Sequence, residues 1–583
     1  MQSHRLFIHS ILLKGLFMRL FKATLAKHCL RICALSCLLY LPSSQAYQHA
    51  VAMPDHYSAT IAQHILDRGG NAVDAAVAAS FGLAVTYPEA GNLGGGGFML
   101  MRMHHHNWFL DYRETAPARA HRDLFLDEQG EVIPFASLLG PQSSGVPGQV
   151  MGLWQAHQRF GHLRWQEVLA PAIELAEQGF VVTKELADVA EWYSGWSSDK
   201  GYSNNFNTYF GNLVVGERLV QPELAATLKR LSRDGVREFY HGETADLIVA
   251  HQQRIGGLIT HQDLANYHAI WREPVQANWQ GMTVVSAPPP SSGGIALIQL
   301  LLMAEQHQLA LKAESHNSAH YIHILAELKK RAYADRAEYL GDSDFVAVPI
   351  ERLIDPAYIA KRAAEIDLTA PSATEAVAPG LAPFNESEQT SHFSIVDRWG
   401  NAVASTFTLN MPFGNGWVVP GAGFLMNNEM DDFSAKPGVP NLYGVIGNEA
   451  NAIAPNKRML SSMSPTLVIA NQKVDAVLGT PGGSTIITSV FQTLLNSYWF
   501  TMPLQQAIDI TRVHHQLWPS QQIGFHPELD SSTQQQLREM GYQVEARRFF
   551  GDMQVIKRQA DGTFDAASDQ RGRGESRVWP QPQ

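Results

Sequence analysis

The chain has 583 residues, of which 45% are apolar and 17% charged, with 46 glycines and 30 prolines. These are globular proportions and exclude a disordered, collagen-like or coiled-coil protein. Its 44 basic and 55 acidic residues give −11. The first 46 residues hold six of the basic ones and no acid, so 38 basic against 55 acidic residues leave −17 on the remainder, a surface that repels phosphate backbones and argues against nucleic acid as a partner.

Residues 1–46 read as an export signal. Arg19, Lys22, Lys27 and Arg31 precede an apolar run over 32–42, and Ser44-Gln45-Ala46 fits a small-x-small cleavage site. The run is too short to cross a bilayer, which needs about 20 apolar residues; no later stretch reaches that length, so no membrane span is expected. Met18 offers a second start. Cys29, Cys33 and Cys37 all lie in this segment, so a processed chain has no thiol for catalysis, disulfides or zinc, and its expected location is periplasmic or secreted.

Along 55–68 and 72–85 apolar residues recur at helical spacing on either side of Gly69-Gly70, which predicts an Ala-rich helical hairpin. A glycine run over 91–97 leads into a strand at 98–101, with a partner at 108–112. His104-His105-His106 then reads as a polar loop. The middle, 146–362, is mostly helical in pattern, as in 165–178 and 318–339, and is interrupted at 288–294. Residues 368–388 lose all apolar periodicity and read as an exposed linker. A β-hairpin follows, 390–397 and 402–409 around Arg398-Trp399-Gly400-Asn401. A second strand pair at 466–470 and 474–478 precedes a buried helix at 484–499, and strands recur near 543–547, 554–557 and 564.

Several standard sites are absent: there is no G-x-x-x-x-G-K-[ST], no H-E-x-x-H and no G-x-S-x-G. Ser197-Ser198-Asp199-Lys200 matches S-x-x-K without its companion motifs and carries no assignment. His316, His320 and His323 share a helical face but lack a carboxylate at ligand spacing, so they read as solvent-facing histidines at a helix start. No metal and no cofactor is expected.

One arrangement carries chemistry. A linker ends in Glu388-Gln389 and a strand begins at once with Thr390. A threonine hydroxyl is a poor nucleophile without a base beside it, and a cut before Thr390 would supply one, because a free α-amine has a pKa of about 7.7–8.0. The same spacing also describes an ordinary strand threonine. Likewise Thr480-Pro481-Gly482-Gly483 before the 484–499 helix presents backbone NH groups where negative charge is favoured, or is a tight turn.

Nine segments decide between these readings: GGNAVDAAVAA (69–79), GNLGGGGFML (91–100), DYRETAP (111–117), VPGQVMGLW (146–154), QTSHFSIVD (389–397), NNEMDDFSAKPG (427–438), LSSMSPT (460–466), GTPGGS (479–484) and ASDQR (567–571). Together and in this order, spanning nearly the whole processed chain, they resemble the γ-glutamyltranspeptidase family of N-terminal-nucleophile hydrolases. The resemblance implies an α+β fold, a four-layer αββα sandwich formed by two chains cut from one precursor between Gln389 and Thr390. The parts would be a signal peptide 1–46, a large subunit 47–389 and a small subunit 390–583, the last two staying associated as a heterodimer.

The resemblance also implies residue roles. Thr390 is the nucleophile with its amine as base, Thr408 orients its hydroxyl, and Gly482 and Gly483 form the oxyanion hole. Arg113 clamps the α-carboxylate of a γ-glutamyl group, helped by Ser461 and Ser462. Asn410, Glu429 and Asp432 take its α-ammonium, and Tyr443 tips a lid over 437–448. The donors would be glutathione and other γ-glutamyl compounds, the acceptors water, amino acids or peptides. Two rival readings are a cephalosporin or glutaryl acylase of the same architecture, whose substrate lacks the α-ammonium, and an unprocessed, non-catalytic exported binding protein.

Overall fold

The computed structural model describes residues 48–377, 390–436, 449–548 and 550–580. The segment expected to be a signal peptide, Gln389, and the 437–448 stretch expected to form a lid with Tyr443 therefore lie outside the described residues.

The strands of the two main sheets are, in chain order, β1 (Gln48–Met53), β2 (Gly96–Met103), β3 (His106–Tyr112), β4 (Ile270–Arg272), β5 (Val275–Trp279), β6 (Met282–Ser286), β7 (Ser391–Val396), β8 (Ala402–Thr408), β9 (Thr466–Ala470), β10 (Lys473–Gly479), β11 (Gln554–Arg558), β12 (Phe564–Ser568) and β13 (Glu575–Pro580). Seven form one sheet in the order β13-β1-β7-β8-β2-β3-β4, and six form the other as β12-β11-β10-β9-β6-β5. Because side chains alternate across a strand, successive residues enter different cores. Phe98 and Leu100 of β2 meet Leu467 and Ile469 of β9 in the layer between the sheets, while Met99 and Met101 face helices on the outside.

Helices cover both outer faces. Against the seven-stranded sheet lie α1 (His56–Asp67) and α2 (Ala72–Thr86). Asn71 caps α2, its side chain accepting from Val73 N and Asp74 N while Asp74 accepts from Asn71 N, a reciprocal cap that fixes where the helix starts. Every residue of α2 is buried, and the small side chains let α1 approach: a Cβ on Gly82 would sit 2.4 Å from Ile61 Cδ1. Against the six-stranded sheet lie α3 (Gly293–Gln306), α4 (Ala319–Tyr339) and α5 (Thr485–Tyr498). This is the four-layer αββα sandwich.

The structure corrects four expectations. Residues 270–286 are not helical but supply three strands, β5 and β6 being joined through Gln280 and Gly281, both at positive φ. Strands β1 and β13 had no counterpart in the sequence reading. Of the three histidines, His323 is fully buried between Tyr542 Oη (2.8 Å) and Asp367 O (2.9 Å), while His316, bonded to Asn496 Oδ1 at 2.8 Å, and His320, beside Glu314, are half-buried. Within the expected linker, Thr374 and Val377 are buried, and Ser372 O accepts from Lys330 Nζ and Gln521 Nε2.

Candidate active site

Thr390 sits immediately before β7, in the middle of the seven-stranded sheet. The β7–β8 register pairs Val396 with Ala402 and Ser391 with Phe407, so its continuation sets Thr408 opposite Thr390. The turn is pinned by Asp397, whose Oδ1 accepts from Trp399 N and Asn401 N and whose Oδ2 accepts from Ala72 N at the start of α2. On the other side of β8, the glycine run brings β2 against Thr408: a Cβ on Gly95 would stand 2.1 Å from Thr408 O. Asn92 Nδ2 donates to that same carbonyl at 2.9 Å. Asn410 N donates to Thr408 Oγ1 at 2.7 Å, which fixes the hydroxyl oxygen at the end of β8 beside Thr390 in the cavity.

The other sheet brings a second wall. After β10 the chain runs through Thr480-Pro481-Gly482-Gly483 into α5. Gly482 has φ +130° and Gly483 φ +55°, and a Cβ on Gly482 would meet Thr485 Oγ1 at 2.5 Å, so a side chain there is excluded on both counts. Gly483 lines the cavity with Thr390, while Gly482 is not among its lining residues.

The third wall is charged. Arg113, 1% exposed, follows β3 and pairs with Glu429 at 2.7 Å, with Asp432, and more loosely with Glu114 at 3.6 Å. The acids come from a short turn, Glu429–Asp432, held by two asparagines. Asn427 Oδ1 accepts from Gly145 N and Glu429 N, and Asn428 accepts from Met411 N while its backbone O accepts from Asn410 Nδ2. Burial pushes the Glu429 and Asp432 carboxyls up, against the pull of Arg113. Burial also opposes the charge on Arg113, but Glu429, Asp432 and Glu114 outweigh it and hold the guanidinium ionised. Ser461 and Ser462 complete this wall. Ser461 O accepts from Ser292 N and Oγ, both at 2.7 Å, and Ser462 Oγ accepts from Arg336 Nη2 at 3.0 Å.

One cavity is thus lined by Arg113, Thr390, Thr408, Asn410, Glu429, Asp432, Ser461, Ser462 and Gly483, together with Met463 and Ile486. Of the residues singled out from sequence, Gly482 stands one position behind it and Tyr443 lies outside the described residues. Sequence reasoning missed Glu114, whose oxygens accept no hydrogen bond among the described residues and whose carboxyl burial pushes up to about 8. It also missed Asn427, Asn428 and Arg336. The first three lie inside the DYRETAP and NNEMDDFSAKPG segments; Arg336 lies in none.

The model of the gamma-glutamyltranspeptidase family matches residues 58–579. The chain belongs to the γ-glutamyltranspeptidase family. A glutathione hydrolase proenzyme from Pseudomonas aeruginosa is 54% identical over 90% of this chain and 93% of its own length. A solved γ-glutamyltranspeptidase from Pseudomonas nitroreducens, complexed with L-DON, is 53% identical over 57% of this chain and 98% of its own, with a TM-score of 0.56. A cephalosporin acylase from Bacillus halodurans is 26% identical with a TM-score of 0.79, covering 93% of this chain and 98% of its own. The chain is an enzyme of the γ-glutamyltransferase and hydrolase kind. No helix among the described residues is long and apolar enough to cross a membrane.

Proposed function

We propose that this enzyme acts on glutathione and related γ-glutamyl amides after cutting its own chain between Gln389 and Thr390. In the precursor the Thr390 hydroxyl attacks the Gln389 carbonyl, the acyl group moves from nitrogen to oxygen, and water hydrolyses the ester to leave a free α-amine on Thr390. The parts are 47–389 and 390–583, with residues 1–46 removed on export to the periplasm or beyond.

In turnover the Thr390 amine takes the hydroxyl proton as the oxygen attacks the γ-carbonyl. Thr408 orients that oxygen, and the amide groups of Gly482 and Gly483 meet the developing oxyanion. The leaving amine takes the proton and departs, and the γ-glutamyl ester passes to water or to the amino group of an amino acid or peptide. The α-carboxylate is taken by Arg113 with Ser461 and Ser462, the α-ammonium by Asn410, Glu429 and Asp432. Arg113 lines the cavity already paired with Glu429 and Asp432, so a bound donor parts Arg113 from its acids, each then taking the opposite charge of the amino-acid zwitterion. Tyr443 would cover the bound group from the 437–448 lid.

The observation that carries this reading is the convergence of Thr390 with both an arginine and a carboxylate pair in one cavity. An acylase of glutaryl groups has no use for Glu429 and Asp432 beside Arg113. The test is release of nitroaniline from γ-glutamyl and glutaryl 4-nitroanilides, with denaturing electrophoresis of the purified protein. Two fragments and a strong preference for the γ-glutamyl donor are expected. Equal rates would favour an acylase, and one intact band a binding protein.

A further inference from the structure

We propose that Arg336 is a positioning residue for the α-carboxylate of the donor, acting through Ser462. The proposal rests on the γ-glutamyl reading above and adds a group that does not line the cavity. Arg336 is on the last turn of α4 and is 1% exposed. Its Nη2 donates to Ser462 Oγ at 3.0 Å and its Nε to Ser292 Oγ at 2.7 Å.

A guanidinium can only donate. The Nη2 contact therefore occupies a lone pair of Ser462 Oγ and leaves the serine hydrogen to be directed elsewhere. Ser462 lines the cavity beside Arg113, so an anion bound there is the acceptor such a hydrogen suits. The Nε contact works on the neighbouring serine by another route. Ser292 passes its own hydrogen to Ser461 O, its backbone NH donates to the same carbonyl, and Ser461 N returns a bond to Pro290 O at 2.9 Å. One buried guanidinium thus orients the hydroxyl of Ser462 and fixes the backbone of Ser461. Donors set before a charge arrives need no reorganisation when it does, and so bind it better than mobile ones.

A purely structural tie between α4 and the 291–292 turn would penalise all donors alike. The experiment therefore uses three 4-nitroanilides: γ-glutamyl, glutaryl, which lacks the ammonium, and 4-aminobutyryl, which lacks the carboxylate. For Arg336→Gln we expect fragments as in the parent and a KM raised about tenfold or more for the two carboxylate donors. Its kcat should stay within about threefold, and kcat/KM for the 4-aminobutyryl donor should not change. Ser462→Ala should give the same pattern, and the double variant should lose no more than the worse single one. Arg336→Lys, which keeps the charge but not the fork, should also raise KM. Where the Arg336 variants do not mature, Ser292→Ala carries the same measurement, with a smaller rise in KM confined to carboxylate donors. Equal losses on all three donors, or additive losses in the double variant, would overturn the proposal. A parent without preference for γ-glutamyl over 4-aminobutyryl would instead bring down the functional reading on which it rests.

Discussion

The two ends of the cavity are built on different physics. At the Thr390 end the polar groups are hydroxyls and backbone, and their positions follow from strand register: β7 and β8 set Thr408 across from Thr390, and the glycines of β2 and of the 480–483 turn allow close approach. At the Arg113 end, three carboxyl groups surround one guanidinium largely out of water. The first arrangement is held by the ladders that hold the whole sheet. In the second, burial raises the Glu429 and Asp432 carboxyls despite Arg113, so this end is costly to desolvate. Under the function proposed above, the reacting end is part of the scaffold, while the end proposed to recognise a zwitterion is assembled against it.

That contrast can be broken at either end. Thr390→Ala removes the hydroxyl that both proposed steps need, so electrophoresis should show a single uncut chain and the nitroanilide assay no turnover; normal fragments would show that Thr390 is only a strand residue. Arg113→Lys keeps a charge but not a two-pronged donor, and should raise KM for γ-glutamyl donors about 100-fold, roughly 3 kcal/mol, with the fold retained by circular dichroism. An unchanged KM would place carboxylate recognition elsewhere.

Glu114→Gln probes the cost of the charged end. Its carboxyl is pushed up to about 8 by burial, against about 4.3 in an unfolded chain. Between those values the folded state keeps a proton that the unfolded state has released, so this group's contribution falls as pH rises through the window. The Gln variant should match the parent near pH 4 and become more stable toward pH 8, by about 2 kcal/mol or more. Denaturant midpoints at the two pH values check this, and a constant difference would mean that Glu114 is ionised throughout. The smallest effect is expected from Thr408→Ala, which loses one orienting hydrogen bond: kcat should fall by about 1 kcal/mol, roughly fivefold, with KM unchanged.

How far the sequence was legible follows the same division. The 390–409 hairpin and the 466–478 pair were readable because alternation and turn residues are local signals. Strand β1 was hidden beside the segment expected to direct export, and β13 (Glu575–Pro580) because its charged residues lie at a sheet edge. Helix α4 was found, but its burial was not: Lys329, Lys330, Arg331, Asp335 and Arg336 are all buried on it, and charged residues read as solvent-facing until tertiary partners such as Val513 O and Ser462 Oγ are known. For that reason His323 was misplaced and Arg336 overlooked. Glu114 was in view within DYRETAP, yet its lack of side-chain hydrogen-bond partners among the described residues is a property of packing alone.

The strand order has one more consequence. In the sheet β13-β1-β7-β8-β2-β3-β4, β1 lies between β13 and β7, pairing Val51 with both Arg577 and Ile395. A chain cut before Thr390 would leave a strand of the first piece laced between two of the second. Before the cut, the connecting segment keeps the partners at the millimolar effective concentrations typical of a tether; afterwards nothing does. The native architecture would then be reached easily once, as a single chain, and recovered from the denatured fragments only as a slow bimolecular reaction. Such an enzyme carries a memory of its precursor that its own two pieces no longer encode.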